Sequence, residues 1–327
     1  MTHKLINQIS AGEQVDGIYV VKDPVLRSTT RGDPYIAMRL CDKTGHVNAR
    51  MWQAGESVYR MLPKPGFVHV QGKSELYQNN LQIVVNEVAL ADTEGIDLDV
   101  FLASTAGDVP AMFAELRRIV AGITHPHLRA IVEAFLADTV LMEKFRTAPA
   151  AMTIHHNYLG GLLEHTLNML KASERVLPLY PQVQPDLVLA AIFLHDIGKT
   201  EELSYGTAFQ YTDRGQLVGH IVQGVLMLED KIRDMAAQGN PVDGHIVNAL
   251  EHVILSHHGE YEFGSPRIPA TPEAFLVYYL DDLDAKLNQV TAAIDNRNAG
   301  DDWTEYNRNL QTRLYGRRME EAEGSSQ

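Results

Sequence analysis

Leu187-Val188-Leu189-Ala190-Ala191-Ile192-Phe193-Leu194-His195-Asp196-Ile197-Gly198-Lys199 decides how this chain folds. An unbroken apolar run with no polar stripe reads as a buried helix, and it ends in an imidazole and a carboxylate. Placing two polar groups at the end of so apolar a helix is costly unless something pairs with them, and a metal ion does that. Gly198 is expected to turn the chain out of the helix and to leave Lys199 at the mouth of the site, where a cation holds a phosphate oxygen. One helix aims only one or two side chains at a point, so other helices must complete the site.

Helical periodicity does run through the second part of the chain. Candidate helices cover residues 111–123, 127–145, 158–177, 186–194, 215–237, 242–255 and 272–296. Thr271-Pro272-Glu273-Ala274 is a helix start, and Gly259 is a stop after His258. The end of the chain mixes Arg and Glu, finishes in Gly324-Ser325-Ser326-Gln327, and reads as a frayed tail.

Ahead of the helices the period changes. Between Gln14 and Ala91 short alternating runs are broken by turn residues, giving candidate strands at 14–23, 35–41, 47–52, 67–76 and 81–88. Asp42-Lys43-Thr44-Gly45 and Gln78-Asn79-Asn80 read as hairpin turns and 27–34 as a longer loop. Five strands in this length fit a small barrel of the OB type. The predicted architecture is therefore multidomain: a β-barrel over 1–95, an acidic linker over 96–109, an all-α domain over 110–300 and a tail over 301–327.

Composition narrows the function. With 327 residues, 45% of them hydrophobic, the chain can bury two cores, which excludes a disordered or fibrous protein. No stretch approaches the roughly 18 apolar residues of a membrane span, and the amino terminus lacks the apolar core of a signal peptide, so a cytoplasmic location with no membrane partner is expected. Cys41 is the only cysteine, so any metal must be held by His, Asp and Glu. The net charge of −14 argues against coating nucleic acid by electrostatics alone. Residues 1–100 carry 10 Lys and Arg against 12 Asp and Glu, so the acidity belongs to the second part.

That part holds the candidate ligands His165, His195 with Asp196, His220, the pair His257-His258, and Asp281, spread over separate helical segments. Imidazole and carboxylate suit Mn, Fe, Co, Ni or Zn at neutral pH. Taken singly, each has a plainer reading: His165 and His220 as core or capping histidines, His257 and His258 as helix-end residues, and Asp281 as part of a solvated acidic face with Asp282 and Asp284. The ordered series is what favours a metal.

Gly160-Gly161-Leu162-Leu163-Glu164-His165, Leu194-His195-Asp196-Ile197-Gly198-Lys199, Gly219-His220-Ile221, Ser256-His257-His258-Gly259 and Asp281-Asp282-Leu283-Asp284-Ala285-Lys286 together resemble the HD-domain phosphohydrolase series H…HD…H…H…D. With a barrel ahead of it and the approach His155-His156-Asn157-Tyr158-Leu159-Gly160-Gly161, the chain resembles the YhaM-type 3′-to-5′ exoribonucleases. The resemblance spans nearly the whole chain. It implies two divalent ions, Mn foremost, with His165, His195, Asp196 and Asp281 on one, and Asp196 bridging to a second held by His220 and His257. The choice between His257 and His258 stays open, with His257 favoured. It also implies a metal-activated water as nucleophile. Lys199 is then expected at the phosphoryl group, with His156, Arg214 and Lys286 as weaker candidates for substrate contact, each equally readable as surface or packing residues.

A barrel joined to a phosphohydrolase points to a polymeric substrate, since OB faces stack bases on exposed aromatics beside basic groups. Tyr35, Trp52 and Tyr77 are the candidates, near Arg27, Arg31, Arg39, Arg50 and Lys73, although strand aromatics are more often core. The expected partner is single-stranded RNA, with single-stranded DNA and a homo-oligomeric state left open. Two other readings compete: an HD hydrolase of small nucleotides or cyclic dinucleotides, and a nucleic-acid-binding protein with a vestigial HD domain. The run Gly259-Glu260-Tyr261-Glu262 lacks the Gly-Tyr-Pro signature of the cyclic-dinucleotide version, and the intact ligand series counts against a vestigial site.

Overall fold

The computed structural model describes residues 3–78, 80–92, 96, 97, 100–151, 156–204, 210–295, 297 and 301–317. Asn79 of the second expected turn, His155, part of the expected linker, Asn296 and residues 318–327 of the tail lie outside the described residues. The chain divides into two compact units: residues 1–106 with 158–160 and 201–218, and residues 107–157 with 161–200 and 219–327.

The first unit is a closed barrel of β1 (Gln14–Ser28), β2 (Pro34–Asp42), β3 (Gly45–Trp52), β4 (Gly66–Tyr77) and β5 (Asn80–Leu90). Its order is β1-β2-β3-β5-β4, and β4 pairs back onto β1, the five-stranded arrangement of an OB-type barrel. Alternation sends Tyr19, Val21, Ile36, Met38, Leu40, Val47, Ala49, Val68, Val70, Ile83 and Val85 inward. All five expected strands are present. β1 runs further than expected because a bulge between Lys22 and Val25, with Asp23 at φ 47°, carries the strand past Asp23-Pro24, which reads locally as a stop. Arg27 thereby lies on a strand rather than in a loop. The one-and-a-half-turn helix α1 (Glu56–Met61) was not anticipated, since so short a segment carries no periodicity.

Asp42 ties the amino-terminal segment to the barrel: its carboxylate accepts from Ile6 N at 2.7 Å and from Thr44 N at 2.7 Å. Where a plain linker was expected, the chain is packed. Phe101 is buried against Val20 and Phe67, and Leu159 N donates to Ala103 O while Thr105 N donates to Leu159 O, both at 2.8 Å.

The second unit is helical. It contains α2 (Val109–Val120), α3 (Pro126–Leu136), α4 (Thr139–Thr147), α5 (Gly161–Val176) and α6 (Pro185–Leu194). The expected helix 127–145 is two helices, because Asp138 caps α4 through Leu141 N at 3.0 Å and ends the run. Every residue of α6 from Leu187 to Leu194 is buried, as its unbroken apolar run requires. α7 (Lys199–Glu202) begins in this unit, whereas the two-stranded pair β6 (Leu203–Ser204) with β7 (Gln210–Tyr211) and α8 (Asp213–Val218) that follow it belong to the first unit. The expected helix 215–237 breaks at Gly219, whose φ of 76° no helix accepts, and α9 (His220–Ala237) starts immediately after it. α10 (Gly244–Ser256) and α11 (Pro272–Asp295) follow. Beyond α11 the expected frayed tail is instead a hairpin over its described part, with antiparallel bridges Trp303 to Tyr315 and Asn307 to Thr312. No helix among the described residues is long and apolar enough to cross a membrane.

Candidate metal centre

Five helices of the second unit each bring one or two polar groups to one buried point. His165 comes from the first turns of α5, His195 and Asp196 from the end of α6, His220 from the first residue of α9, His257 from the end of α10, and Asp281 from the middle of α11. Helix ends dominate for a geometric reason: a side chain on a terminal turn can project along the axis into a space that the other helices surround.

Asp196 is the centre of the arrangement. Its Oδ2 faces His195 Nε2 at 3.3 Å and His165 Nε2 at 3.9 Å, while its Oδ1 faces His220 Nε2 and His257 Nε2, each at 3.5 Å. The two oxygens thus address two different sets of imidazoles. Asp281 Oδ1 joins the first set, 3.2 Å from His165 Nε2.

The far nitrogen of each ring explains why the near ones converge. His195 Nδ1 donates to Ile192 O at 2.8 Å, His257 Nδ1 to Ile254 O at 2.7 Å and His258 Nδ1 to Phe263 O at 2.8 Å. A carbonyl only accepts, so Nδ1 must carry the hydrogen, and in the neutral ring Nε2 is left with its lone pair. Lone pairs aimed at a shared point are what a cation needs. Among the described residues the buried Nε2 atoms of His195 and His257 and Oδ1 of Asp196 have no hydrogen-bond partner. Burying such atoms unsatisfied is expensive, so the donor set fits a divalent ion held by imidazole and carboxylate. Among the described residues four overlapping triads have ligand atoms mutually within 4.8 Å: His165-His195-Asp281, His195-Asp196-His257, His220-His257-His258 and, further out, His156-His165-Asp284.

Electrostatics agree with the geometry. Burial pushes Asp196 up, but Lys199 and the His195 imidazole more than offset it and hold the carboxyl well below its ordinary range. Asp281 is likewise held down against burial by His165. Burial lowers His195, and pushes His258 down to about 3, so both rings are neutral at physiological pH.

The structure corrects the expected place of two residues. Lys199 is not at an open mouth: it is buried, and its Nζ lies 2.5 Å from Asp196 Oδ2. Gly198 does not use a left-handed turn. It is required by contact, since a Cβ there would lie 2.0 Å from His220 O and 2.8 Å from Gly224 N, and this close approach is what brings α9 and His220 up to Asp196. His257 rather than His258 faces Asp196; His258 sits on the outer side, its ring centroid 4.4 Å from that of His257 and 5.2 Å from that of His220.

The weaker substrate candidates separate. His156 is only 2% exposed, and its Nε2 lies 2.8 Å from Asp284 Oδ2. Lys286 is exposed and pairs with Asp282 within α11. Arg214 is exposed on α8, in the other compact unit. Sequence reasoning missed Asp284 and Asn288. Asp284 accepts from His165 Nδ1 at 2.7 Å, and Asn288 Oδ1 accepts from His156 N at 2.9 Å. The spacing of Asp281, Asp284 and Asn288, at i, i+3 and i+7, places them on one helix face and was the available signal.

On the barrel, β2 and β3 pair Tyr35 with Trp52, their rings 5.0 Å apart. Arg50 stands two residues before Trp52 on the same strand face. Its guanidinium lies 5.8 Å from the Trp52 ring centroid and 4.7 Å from that of Tyr77. Trp52 and Tyr77 are each about two-fifths exposed (42% and 44%), so the three aromatics and Arg50 form a surface group rather than core. Arg27, Asn48, Arg50, Tyr77 and Gln82 line an adjoining pocket of about 330 Å³. Arg39 is occupied by Asp23.

A family model described as the HD domain matches residues 162–286. The chain is 32% identical over 291 residues to the 3′-5′ exoribonuclease YhaM of Bacillus subtilis (strain 168), covering 89% of this chain and 90% of that protein. It is 31% identical over 299 residues to the protein of the same name from Shouchella clausii (strain KSM-K16), covering 91% and 92%. For that of Geobacillus sp. (strain WCH70) the identity is 32% over 302 residues, covering 91% and 90%. Among solved structures, the second OB-fold domain of replication protein A from Methanococcus maripaludis matches 29% of this chain and 98% of its own length, at 15% identity and a TM-score of 0.21.

Proposed function

The chain belongs to the family of YhaM 3′-5′ exoribonucleases, and from that membership we propose that it is itself a metal-dependent exoribonuclease, removing nucleotides from the 3′ end of single-stranded RNA by hydrolysis. The observation that carries the reading is the two-sided carboxylate of Asp196, with His165 and His195 on one oxygen and His220 and His257 on the other.

Two divalent ions, manganese foremost, are assigned to these sets: His165, His195, Asp196 and Asp281 for one, Asp196, His220 and His257 for the other. Such ions supply Lewis acidity, lowering the pKa of water and offsetting charge on phosphoryl oxygens. The protein's part is to hold the ligands rigidly. Asp196 is kept ionised by Lys199 and its surrounding imidazoles, and His195 and His257 are kept in one tautomer by backbone carbonyls. No Ser, Cys or Thr side chain is needed as nucleophile. Lys199, buried beside Asp196, is the cation that matches the charge of this carboxylate. His258, held neutral by burial, takes the outer position beside His220 and His257.

On the barrel, the group of Tyr35, Arg50, Trp52 and Tyr77 is assigned to the bases and phosphates of the strand. Aromatic faces stack any base, and an arginine between them adds charge without reading sequence. Single-stranded DNA fits the same contacts.

The test is to incubate the protein with manganese and 5′-labelled single-stranded RNA beside a His195→Ala/Asp196→Ala variant. A ladder shortening from the 3′ end with the parent and absent with the variant is expected. RNA left intact while small nucleotides are hydrolysed would replace this reading, and binding with no hydrolysis of either would leave only a nucleic-acid-binding protein.

A further inference from the structure

The segment after α11 is a built element with no task in the site described above. Asn307 N donates to Thr312 O at 2.8 Å, Thr304 N to Leu314 O at 2.9 Å and Gly316 N to Asp302 O at 2.7 Å, so residues 302–317 form a laddered hairpin. The Asn307 carboxamide oxygen accepts from Asn309 N at 3.0 Å and Leu310 N at 3.1 Å, fixing the tip that carries Arg308. Arg313 Nε donates to Thr304 O at 2.9 Å and braces the two arms. Gly316 packs on the end of α11, where an added Cβ would come within 2.9 Å of Ile294 Cγ2.

What this frame holds out is unlike a solvated surface. Trp303, Tyr306 and Tyr315 are 49%, 59% and 49% exposed, and Trp303 and Tyr315 lie across the hairpin from each other with ring centroids 5.0 Å apart. Across residues 302–317 Arg308, Arg313 and Arg317 stand against Asp302 and Glu305, a balance of +1 in a chain whose net charge is −14, and from Tyr306 to Arg317 there is no acidic residue. Among the described residues, no ion pair involves Arg308 or Arg317. Exposed aromatics interleaved with arginines, on a rigid frame, match a nucleic acid strand: rings for bases, guanidinium groups for phosphates. A polyanion approaching an acidic protein is held where basic groups gather, and here the three arginines follow the two acids, from Arg308 at the tip to Arg317.

We infer that the hairpin 302–317 is a second contact for the single-stranded nucleic acid, separate from the barrel surface and located along α11 from the metal cluster. The inference rests on the nuclease reading for its substrate. Thirteen residues of α11 separate Asp281 from Ile294, which is about 20 Å at 1.5 Å per residue. At about 3.4 Å per nucleotide of stacked strand, roughly six nucleotides span that distance. A strand whose end is at the cluster reaches the hairpin only if it is longer than this, so the contact acts on long substrates alone.

The experiment compares the full-length protein with a Tyr306→Ala/Arg308→Gln/Arg317→Gln variant, using fluorescence anisotropy with a 20-nucleotide RNA in EDTA and turnover of a dinucleotide and the 20-mer in manganese. Losing two phosphate contacts and one stacking ring should weaken 20-mer binding about tenfold and make the slope of log K against log salt shallower by about 1.4. The dinucleotide kcat/KM should be unchanged, which also shows that the variant folds. An Arg308→Lys/Arg317→Lys variant keeps the charges and should keep most of the affinity. Equal 20-mer affinity and equal salt slope for parent and triple variant overturns the inference, as does a changed sedimentation coefficient with unchanged RNA affinity, which makes the hairpin a protein contact. A parent that binds the 20-mer without shortening it sinks the nuclease reading and still leaves the hairpin comparison readable.

Discussion

Asp284 holds His165 by its far nitrogen: Nδ1 lies 2.7 Å from Asp284 Oδ2, while Nε2 of the same ring faces Asp281 and Asp196. Burial pulls the His165 imidazole down, but the bonds to Asp281 and Asp284 outweigh it and raise the ring to about 9. The same Asp284 oxygen is 2.8 Å from His156 Nε2, and Asn288 fixes the His156 backbone, so one carboxylate aligns two rings. His156 pays for its place with a left-handed φ of 44°, which a tight local anchor must maintain.

Replacing Asp284 with Asn keeps the shape and removes the charge that orients His165. Outer carboxylates of this kind change metal affinity by about 10- to 100-fold when lost. The expected outcome for Asp284→Asn is manganese binding weakened by that factor in calorimetric titration, with the helical circular dichroism unchanged. Unaltered affinity would show that Asp284 only packs.

His257 and His258 are adjacent in sequence but only His257 faces Asp196, at 3.5 Å. His257→Ala is expected to remove one of two bound ions, counted by elemental analysis, and to lower RNA turnover by at least about 100-fold, the scale of losing one charge-stabilising group. His258→Ala should retain both ions. Equal metal loss in the two variants contradicts the assignment of ligands.

Gly198 has no room for a side chain, with His220 O 2.0 Å from where a Cβ would be. Gly198→Ala must push α9 away from α6. A cost of about 1–3 kcal/mol is expected in urea unfolding, together with weaker metal binding, because His220 moves with its helix. A stability cost with full metal affinity would mean that the strain is absorbed elsewhere.

Glu251 is raised to about 7, first by burial and then by its hydrogen bond and repulsion with Glu229. A group whose folded pKa is raised lends stability that is complete below its unfolded value and is lost as pH rises through the folded one. The window is therefore roughly pH 4.5 to 7. Glu251 is partly exposed, so screening limits the effect to about 1 kcal/mol or less. Glu251→Gln is expected to melt higher than the parent at pH 8 and to lose that advantage at pH 5. A constant difference in melting temperature across this range would rule out the ionisation as the cause.

The sequence by itself determined the elements that bury one face or all faces. The strands alternate, α6 is apolar throughout, and the ligands come in a fixed order, because periodicity reports directly which side of an element leaves water. It also named His165, His195, Lys199, His220 and His257, which the structure places within 4 Å of the Asp196 carboxylate. It did not supply their outer partners. Asp284 looks like any acid on a charged helix, and His156 like a substrate contact, until α5 and α11 lie side by side. Lys199 reads as an exposed cation, yet the buried Asp196 captures it, since an ionised carboxylate in the interior is stable only with its charge matched. Gly198 and the hairpin after α11 were equally hidden, one explained by a helix more than twenty residues further on, the other by pairing between arms with no regular alternation. Only the tertiary structure decided these, because a contact between distant residues depends on the distance and direction between elements, and the burial pattern along a single segment carries neither.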